Sequence, residues 1–422
     1  MRTEDELSAA LRQAATRAPE PDLLAGVSAR RRRRARRRAG LLALTAAVAV
    51  VVTSTTVARS VLSIRGGEEA AVTVTPGETV TRPSSSAVAT IPTAAKPSKP
   101  EEIAAAELWP EALFTMPAAN PDGWRYRPIT GISPTEVLLS AESSFETAGR
   151  FEVYDARTGE ARVVVDVPVR PGVKKYIPQT TTVDATTVAW YAYGEQADGT
   201  KVRDIWTVPL AGGEAKLLTT RVGGEADIDA ISLDGEHVVW SEIDGGVWRL
   251  PLAGGTPERL PGSDGLHLIE WPWATDMART PGHLERNQGK LVNLADGSAT
   301  SLAAPQGTRG LRCGPVWCYG RGERGTWGTV VHRLDGAGTS RSVIANFGMG
   351  FSPYPILDRF LQTGSSVYDL ETGKLATAGS SSGWYGAGTS SEPSTILYWG
   401  TTKADKPDRL WVLNLAAVPP AQ

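Results

Sequence analysis

Cys313 and Cys318, in the run Cys313-Gly314-Pro315-Val316-Trp317-Cys318, are the two cysteines of this 422-residue chain. Outside the cytoplasm, two thiols that close in sequence read as a disulfide, which would pin one turn. A metal is not expected there, because no histidine lies nearby in sequence to complete four ligands. The four histidines, His237, His267, His283 and His332, form neither an H-E-x-x-H pair nor another ligand spacing, so each reads as a packed or surface residue. The sequence holds no G-x-S-x-G elbow, no P-loop and no G-x-G-x-x-G after a strand, which removes the common nucleophile and phosphate-binding chemistries. The expectation is a non-enzyme without catalytic residues, metal or cofactor. Two aromatic groups remain as binding candidates: Trp271-Pro272-Trp273, and Trp384 with Tyr385 in a Gly-rich stretch. On loops at the mouth of a ring they would stack against a sugar, a peptide or a partner surface; the alternative is core packing.

A recurring unit positions these residues. A short apolar run with Trp or Tyr, an Asp or Pro, a Gly-containing turn and a second apolar run recurs, as in Phe151-Glu152-Val153-Tyr154-Asp155-Ala156-Arg157-Thr158-Gly159 and Val247-Trp248-Arg249-Leu250-Pro251-Leu252-Ala253-Gly254-Gly255. Seven copies place Tyr154, Trp206, Trp248, Asn293, His332, Tyr368 and Trp411 at equivalent positions, 52, 42, 45, 39, 36 and 43 residues apart. Four short strands with their turns need about 40 to 45 residues, the period of a propeller blade. Each copy reads as the outer hairpin of a blade. Its Asp accepts from the backbone two residues on, and its Gly takes the positive φ of the turn. The last hairpin ends near Val418, and Leu113-Phe114-Thr115-Met116 is placed to supply the strand that closes the ring. The fold class is therefore all-β, a propeller of about seven four-stranded blades over residues 108–422.

Ser232-Leu233-Asp234-Gly235-Glu236-His237-Val238-Val239-Trp240 resembles the S-P-D-G-x-x-hydrophobic-aromatic signature of TolB-like, WD40-like (PD40-type) propeller repeats, with Leu233 where the signature has Pro. The resemblance implies a propeller over the same span. It brings no reaction with it. The sialidase box S-x-D-x-G-x-x-W fails here because Gly235 directly follows Asp234. Quinoprotein-like D-x-x-T-G turns occur at Asp155–Gly159 and Asp369–Gly373, in two blades.

The N-terminal region has a different character. Residues 1–40 carry 11 Arg and 5 acidic residues, and eight of the nine residues Arg30–Arg38 are Arg. The remainder of the chain is acidic, which argues against a nucleic-acid partner. The Arg block runs into Leu41–Ala58, uncharged and long enough at ~27 Å to span a bilayer once. Basic residues beside a span stay cytoplasmic, so residues 1–40 are expected inside and the ring outside the cell membrane; the alternative is a signal peptide cleaved after Thr56-Val57-Ala58. Residues 59–107, rich in Pro, Ser and Thr, are expected as a disordered stalk. In the tail, Thr3 to Glu6 form a capping box ahead of Leu7 and Leu11, and a second short helix carries Leu23, Leu24 and Val27. These two apolar stripes are candidate contacts for a cytosolic protein; the alternatives are the membrane surface, or no partner at all.

The sequence thus points to a single-pass membrane protein displaying a binding or scaffold module for a protein or envelope glycan. The tail also resembles the N-terminal portion of single-pass anti-sigma-type regulators of high-GC Gram-positive bacteria, although it has no Cys or His for a zinc motif. That resemblance implies a sigma factor as cytosolic partner. A third reading is an enzyme with its site in the central channel, for which acidic residues converging on one mouth would be the sign.

Overall fold

The repeated hairpins form, and each occupies the same place in its sheet. The structure, a computed structural model, describes residues 87–90, 98–144, 147–222, 227–279, 285–322, 328–337, 340–343, 354–363, 366–378, 384–386, 394–400 and 408–421. An N-terminal run supplies β1 (Ala87–Thr90), β2 (Glu102–Ala104) and β3 (Leu113–Pro117). Blade 1 is β4 (Arg125–Gly131), β5 (Glu136–Ser144), β6 (Thr147–Asp155) and β7 (Glu160–Asp166). Blade 2 is β8 (Val173–Val183), β9 (Thr187–Gln196), β10 (Lys201–Pro209) and β11 (Lys216–Val222). Blade 3 is β12 (Ile228–Leu233), β13 (His237–Glu242), β14 (Val247–Pro251) and β15 (Glu258–Arg259). Blade 4 is β16 (His267–Glu270), β17 (Trp273–Thr275), β18 (Lys290–Asn293) and β19 (Ala299–Ala303). Blade 5 is β20 (Arg309–Cys313), β21 (Trp317–Arg321), β22 (Thr329–Arg333) and β23 (Arg341–Val343). Blade 6 has β24 (Phe360–Thr363), β25 (Ser366–Asp369) and β26 (Leu375–Thr377), its first strand being reduced to a bridge between Ile356 and Phe360. Blade 7 has β27 (Trp384–Gly386), β28 (Ile396–Gly400) and β29 (Arg409–Asn414), and β3 completes it.

The seven equivalent residues fall on the third strand of each blade, and the turns that follow use the expected chemistry. Asp155, Asp335 and Asp369 accept from the N–H two residues on, each at 2.9 Å. The turn between the first and second strands of blade 3 uses the same chemistry: Asp234 accepts from the N–H groups of Glu236 and His237 at 2.9 and 2.6 Å, and Gly235 has φ +94°. Aromatic residues then face each other across second and third strands, Trp190 on Trp206 and Trp399 on Trp411, with ring centroids 6.2 and 6.5 Å apart. Alternation turns these faces toward the neighbouring blade. Seven apolar clusters result among the described residues, one at each blade-to-blade interface, from Phe151 and Trp190 between blades 1 and 2 to Met116, Tyr126 and Tyr398 between blades 7 and 1. Cations on fourth strands add clasps, since Arg162 donates to Leu210 O at 2.7 Å and Lys216 to Leu252 O at 2.9 Å, each in the next blade.

Closure follows the expectation. β3 pairs antiparallel with β29, Met116 opposite Leu410 and Phe114 opposite Val412. The segment before it corrects one. Residues 87–90 and 98–107, expected within a free stalk, form a strap along the outer edges of three consecutive blades. β1 pairs parallel with β19 of blade 4, Ser98 bridges Val343 of blade 5, and β2 pairs parallel with β26 of blade 6. The composition argument failed because the strap needs little apolar surface of its own. It satisfies its backbone on sheet edges and tucks in Ala105, Trp109 and Ala112, which are buried between blades 6 and 7. Trp109 meets Phe360 edge-on at 5.6 Å.

The tail with Leu7, Leu11, Leu23, Leu24 and Val27, and the expected span Leu41–Ala58, lie outside the described residues. Among the described residues no helix is long and apolar enough to cross a membrane.

Candidate functional site

First strands of successive blades run in one direction, so the turns that follow them all emerge at one mouth of the ring. Three such turns from adjacent blades carry chemistry. In blade 4 the turn is Glu270-Trp271-Pro272-Trp273, in blade 5 Cys313 to Cys318, and in blade 6 Ile356-Leu357-Asp358-Arg359-Phe360.

The blade 6 turn is locally unfavourable. Leu357 and Asp358 have φ +50° and +51°, and Arg359 N–H closes the turn onto Ile356 O at 3.0 Å. Two consecutive positive-φ positions suit Asn-Gly, and a leucine there is strained. What the turn achieves is placement: Leu357 stands 44% exposed, and Asp358 lies against Gly314. A Cβ on Gly314 would come to 2.8 Å from Asp358 Oδ1, so a larger residue there would displace the carboxylate from its present place. The neighbouring Arg359 is committed elsewhere, to Asp369 at 2.8 Å and Glu371 at 3.1 Å. Desolvation therefore pushes the Asp358 carboxyl up to about 6.

Glu270 reaches solvent yet is enclosed by protein on most sides, as a side chain at a channel mouth is. Desolvation raises its carboxyl, the Asp358 charge raises it further, and Arg279 opposes. That repulsion weighs on Glu270; in such a pair, whichever carboxylate ionises first holds the proton on the other. Arg279 is fixed beside it, donating to Ile269 O at 2.6 Å.

Trp271 and Trp273 are half-buried, packing against the clusters between blades 3 and 4 and between blades 4 and 5 respectively. Each ring thus supports a blade interface and keeps a share of its surface exposed. Trp384 and Tyr385 are not brought to this turn; they sit on β27 in blade 7, opposite Trp399 and Tyr398. Their side chains lie outside the described set. Between the two acidic turns, Cys313 and Cys318 form the expected disulfide, S–S 2.08 Å, directly opposite one another on β20 and β21. It holds the Gly314 to Val316 turn on which Asp358 rests.

Deeper in the channel lies a buried polar knot. His267 Nδ1 is 3.1 Å from Asp229 Oδ2, across blades 3 and 4. Tyr354 is 2% exposed, with its hydroxyl on Thr275 and the charges of Arg312, Arg279 and Asp229 acting on it. Burial raises this phenol, and Arg312 opposes most. The knot ties the inner strands of blades 3 to 6 together and presents little surface. Of the remaining histidines, His237 contacts Asp234 at 3.1 Å, and His283 lies outside the described residues. His332 is buried on β22, and desolvation lowers its imidazole to about 4. Among the described residues no group of three His, Cys, Asp or Glu side chains is placed to hold a metal ion.

Sequence reasoning missed Glu270, Leu357 and Asp358. Glu270 had a signal, its position beside Trp271-Pro272-Trp273. Leu357-Asp358 had little, because without Gly or Asn nothing in the sequence marks two consecutive positive-φ positions.

No protein-family model matches the chain, and no curated protein matches it. Solved structures similar to it include the β-propeller domain of the Trilobed protease from Pyrococcus furiosus, 11% identical, over 71% of this chain and 95% of that one, with a TM-score of 0.43. BamB from Moraxella catarrhalis is 14% identical over 69% and 86%, TM-score 0.33. Oligogalacturonate lyase from Vibrio parahaemolyticus is 9% identical over 75% and 98%, TM-score 0.39.

Proposed function

We propose that the chain is a single-pass membrane protein whose ring, a TolB-like propeller outside the cytoplasm, binds an envelope glycan without transforming it. The observation that carries this is the mouth of blades 4 to 6. There two carboxylates, Glu270 and Asp358, stand among the partly exposed Trp271, Trp273 and Leu357. Indole faces stack on sugar rings, and carboxylates accept from vicinal hydroxyls. Holding Asp358 at a strained position, poorly solvated, is a stability cost that a purely structural turn would not need. The buried Cys313–Cys318 disulfide supports an oxidising compartment. The Arg30–Arg38 block before Leu41–Ala58 supports the orientation.

Co-sedimentation of the detergent-solubilised chain with insoluble envelope glycan tests the reading. The native chain should pellet with the glycan, and Glu270→Gln with Asp358→Asn should weaken the association at least tenfold, about 1.4 kcal/mol. Equal pelleting of both proteins would overturn it.

The same two carboxylates favour a second reading, a channel enzyme acting on that glycan, because raised carboxyls are suited to proton transfer. Release of soluble fragments by the native chain, lost in the double variant, would select it. A sigma factor captured by residues 1–40, and lost when Leu7 and Leu11 become Asp, would add a signalling role for the tail.

A further inference from the structure

Among the described residues of blade 5, the imidazole of His332 is buried, 3% exposed, with no hydrogen-bond partner at either ring nitrogen. Leaving such a group unsatisfied is costly, and orphans of this kind mark an absent water, an ion or a redox role. Its surroundings favour the last two. His332 on β22 is registered opposite Cys318 on β21, which is registered opposite Cys313 on β20. Opposed residues of antiparallel strands share a face, with Cβ atoms about 4.5–5.5 Å apart. One nitrogen and two sulfur donors therefore stand in a row across three strands. Both cysteines are fully buried, on the face that packs toward Leu291 and Leu302 of blade 4.

We propose that, once the Cys313–Cys318 disulfide is reduced, Cys313, Cys318 and His332 bind a thiophilic divalent cation such as zinc. A dithiol reductant delivers two electrons and two protons; the S–S bond breaks, two thiols form, and the reductant leaves as its own disulfide. The cation then displaces both thiol protons, and the imidazole adds a lone pair without losing a proton. Two thiolates, one nitrogen and a water make a tetrahedral set. In the disulfide form the two sulfurs are bonded to each other and are not free to act as ligands. The row thus has two mutually exclusive closures, S–S or S–metal–S, and either one pins the turn beneath Asp358. Because the sulfurs are out of contact with solvent, exchange between the two requires blade 5 to open, as it does before folding is complete.

The test uses the full chain in detergent, unfolded and reduced with a phosphine without oxygen, refolded, and titrated with cobalt(II) as the probe. One equivalent should bind, with sulfur-to-cobalt charge-transfer absorption and the visible bands of a tetrahedral site, while the oxidised chain shows neither. His332→Ala should weaken binding at least tenfold. His332→Leu guards against a folding defect: an apolar side chain of similar size should stabilise the oxidised ring, yet lose the cobalt site to the same degree. Absence of the charge-transfer band in the reduced native chain, or an affinity unchanged in the folded His332→Leu variant, would overturn the proposal.

Discussion

Replacing Asp358 by asparagine should make the ring more stable at neutral pH. The folded protein holds this carboxyl near 6, against 3.8 for an ordinary aspartate. Between those values the native state keeps a proton that the unfolded chain has released, so stability falls as pH rises through the window and levels off above it. A gap of about two pH units corresponds to about 3 kcal/mol. Because Asp358 is only half-buried, solvent screening reduces this to about 1–3 kcal/mol. Asparagine has the same shape, tolerates positive φ and carries no charge. Urea melts at several pH values should therefore show the variant more stable by about 1–3 kcal/mol near pH 7.5, with the gap closing below about pH 4. Equal stabilities at all pH values, or a variant that is weaker at neutral pH, would show that Asp358 is an ordinary solvated carboxylate.

The strained neighbour gives a related expectation, that Leu357→Gly raises stability by about 1 kcal/mol in the same melts, because glycine takes φ near +50° without steric cost. Trp109→Ala should destabilise the ring by about 3–5 kcal/mol, since the indole is 5% exposed between blades 6 and 7. A chain beginning at residue 108 keeps β3 and should still close. It loses Glu101 O, however, the acceptor for Leu375 N–H at 3.1 Å, so hydrogen exchange at Leu375 should accelerate while blade 1 amides are unchanged.

Architecture was readable from the sequence wherever one physical requirement recurred. Third-strand aromatics pack the same way at five of the interfaces, and Asp and Gly solve the same turn, so Tyr154, Trp206, Trp248, Tyr368 and Trp411 mark their blades. Leu113–Met116 was identifiable as the closing strand because a ring must satisfy its last edge. The strap was hidden, since its parallel pairing uses backbone groups that every residue carries, and Ser, Thr and Ala serve there as well as in a disordered stalk. At the mouth, Trp271 and Trp273 stood out by type. Asp358 did not, because its importance comes from contact with Gly314 and from the diversion of Arg359 to Asp369, neither of which has a local signature. His332 is remote from Cys313 and Cys318 along the chain, yet sheet register sets it directly beside Cys318.

A hydrogen-exchange map with and without soluble fragments of the envelope glycan would examine the functional proposal at its root. Ligand should slow exchange at 270–273, 313–318 and 356–360 together, leaving the turns at the opposite mouth unaffected. Protection confined to the opposite mouth or to the outer edges, or no protection at saturating fragment, would contradict the assignment of the binding face.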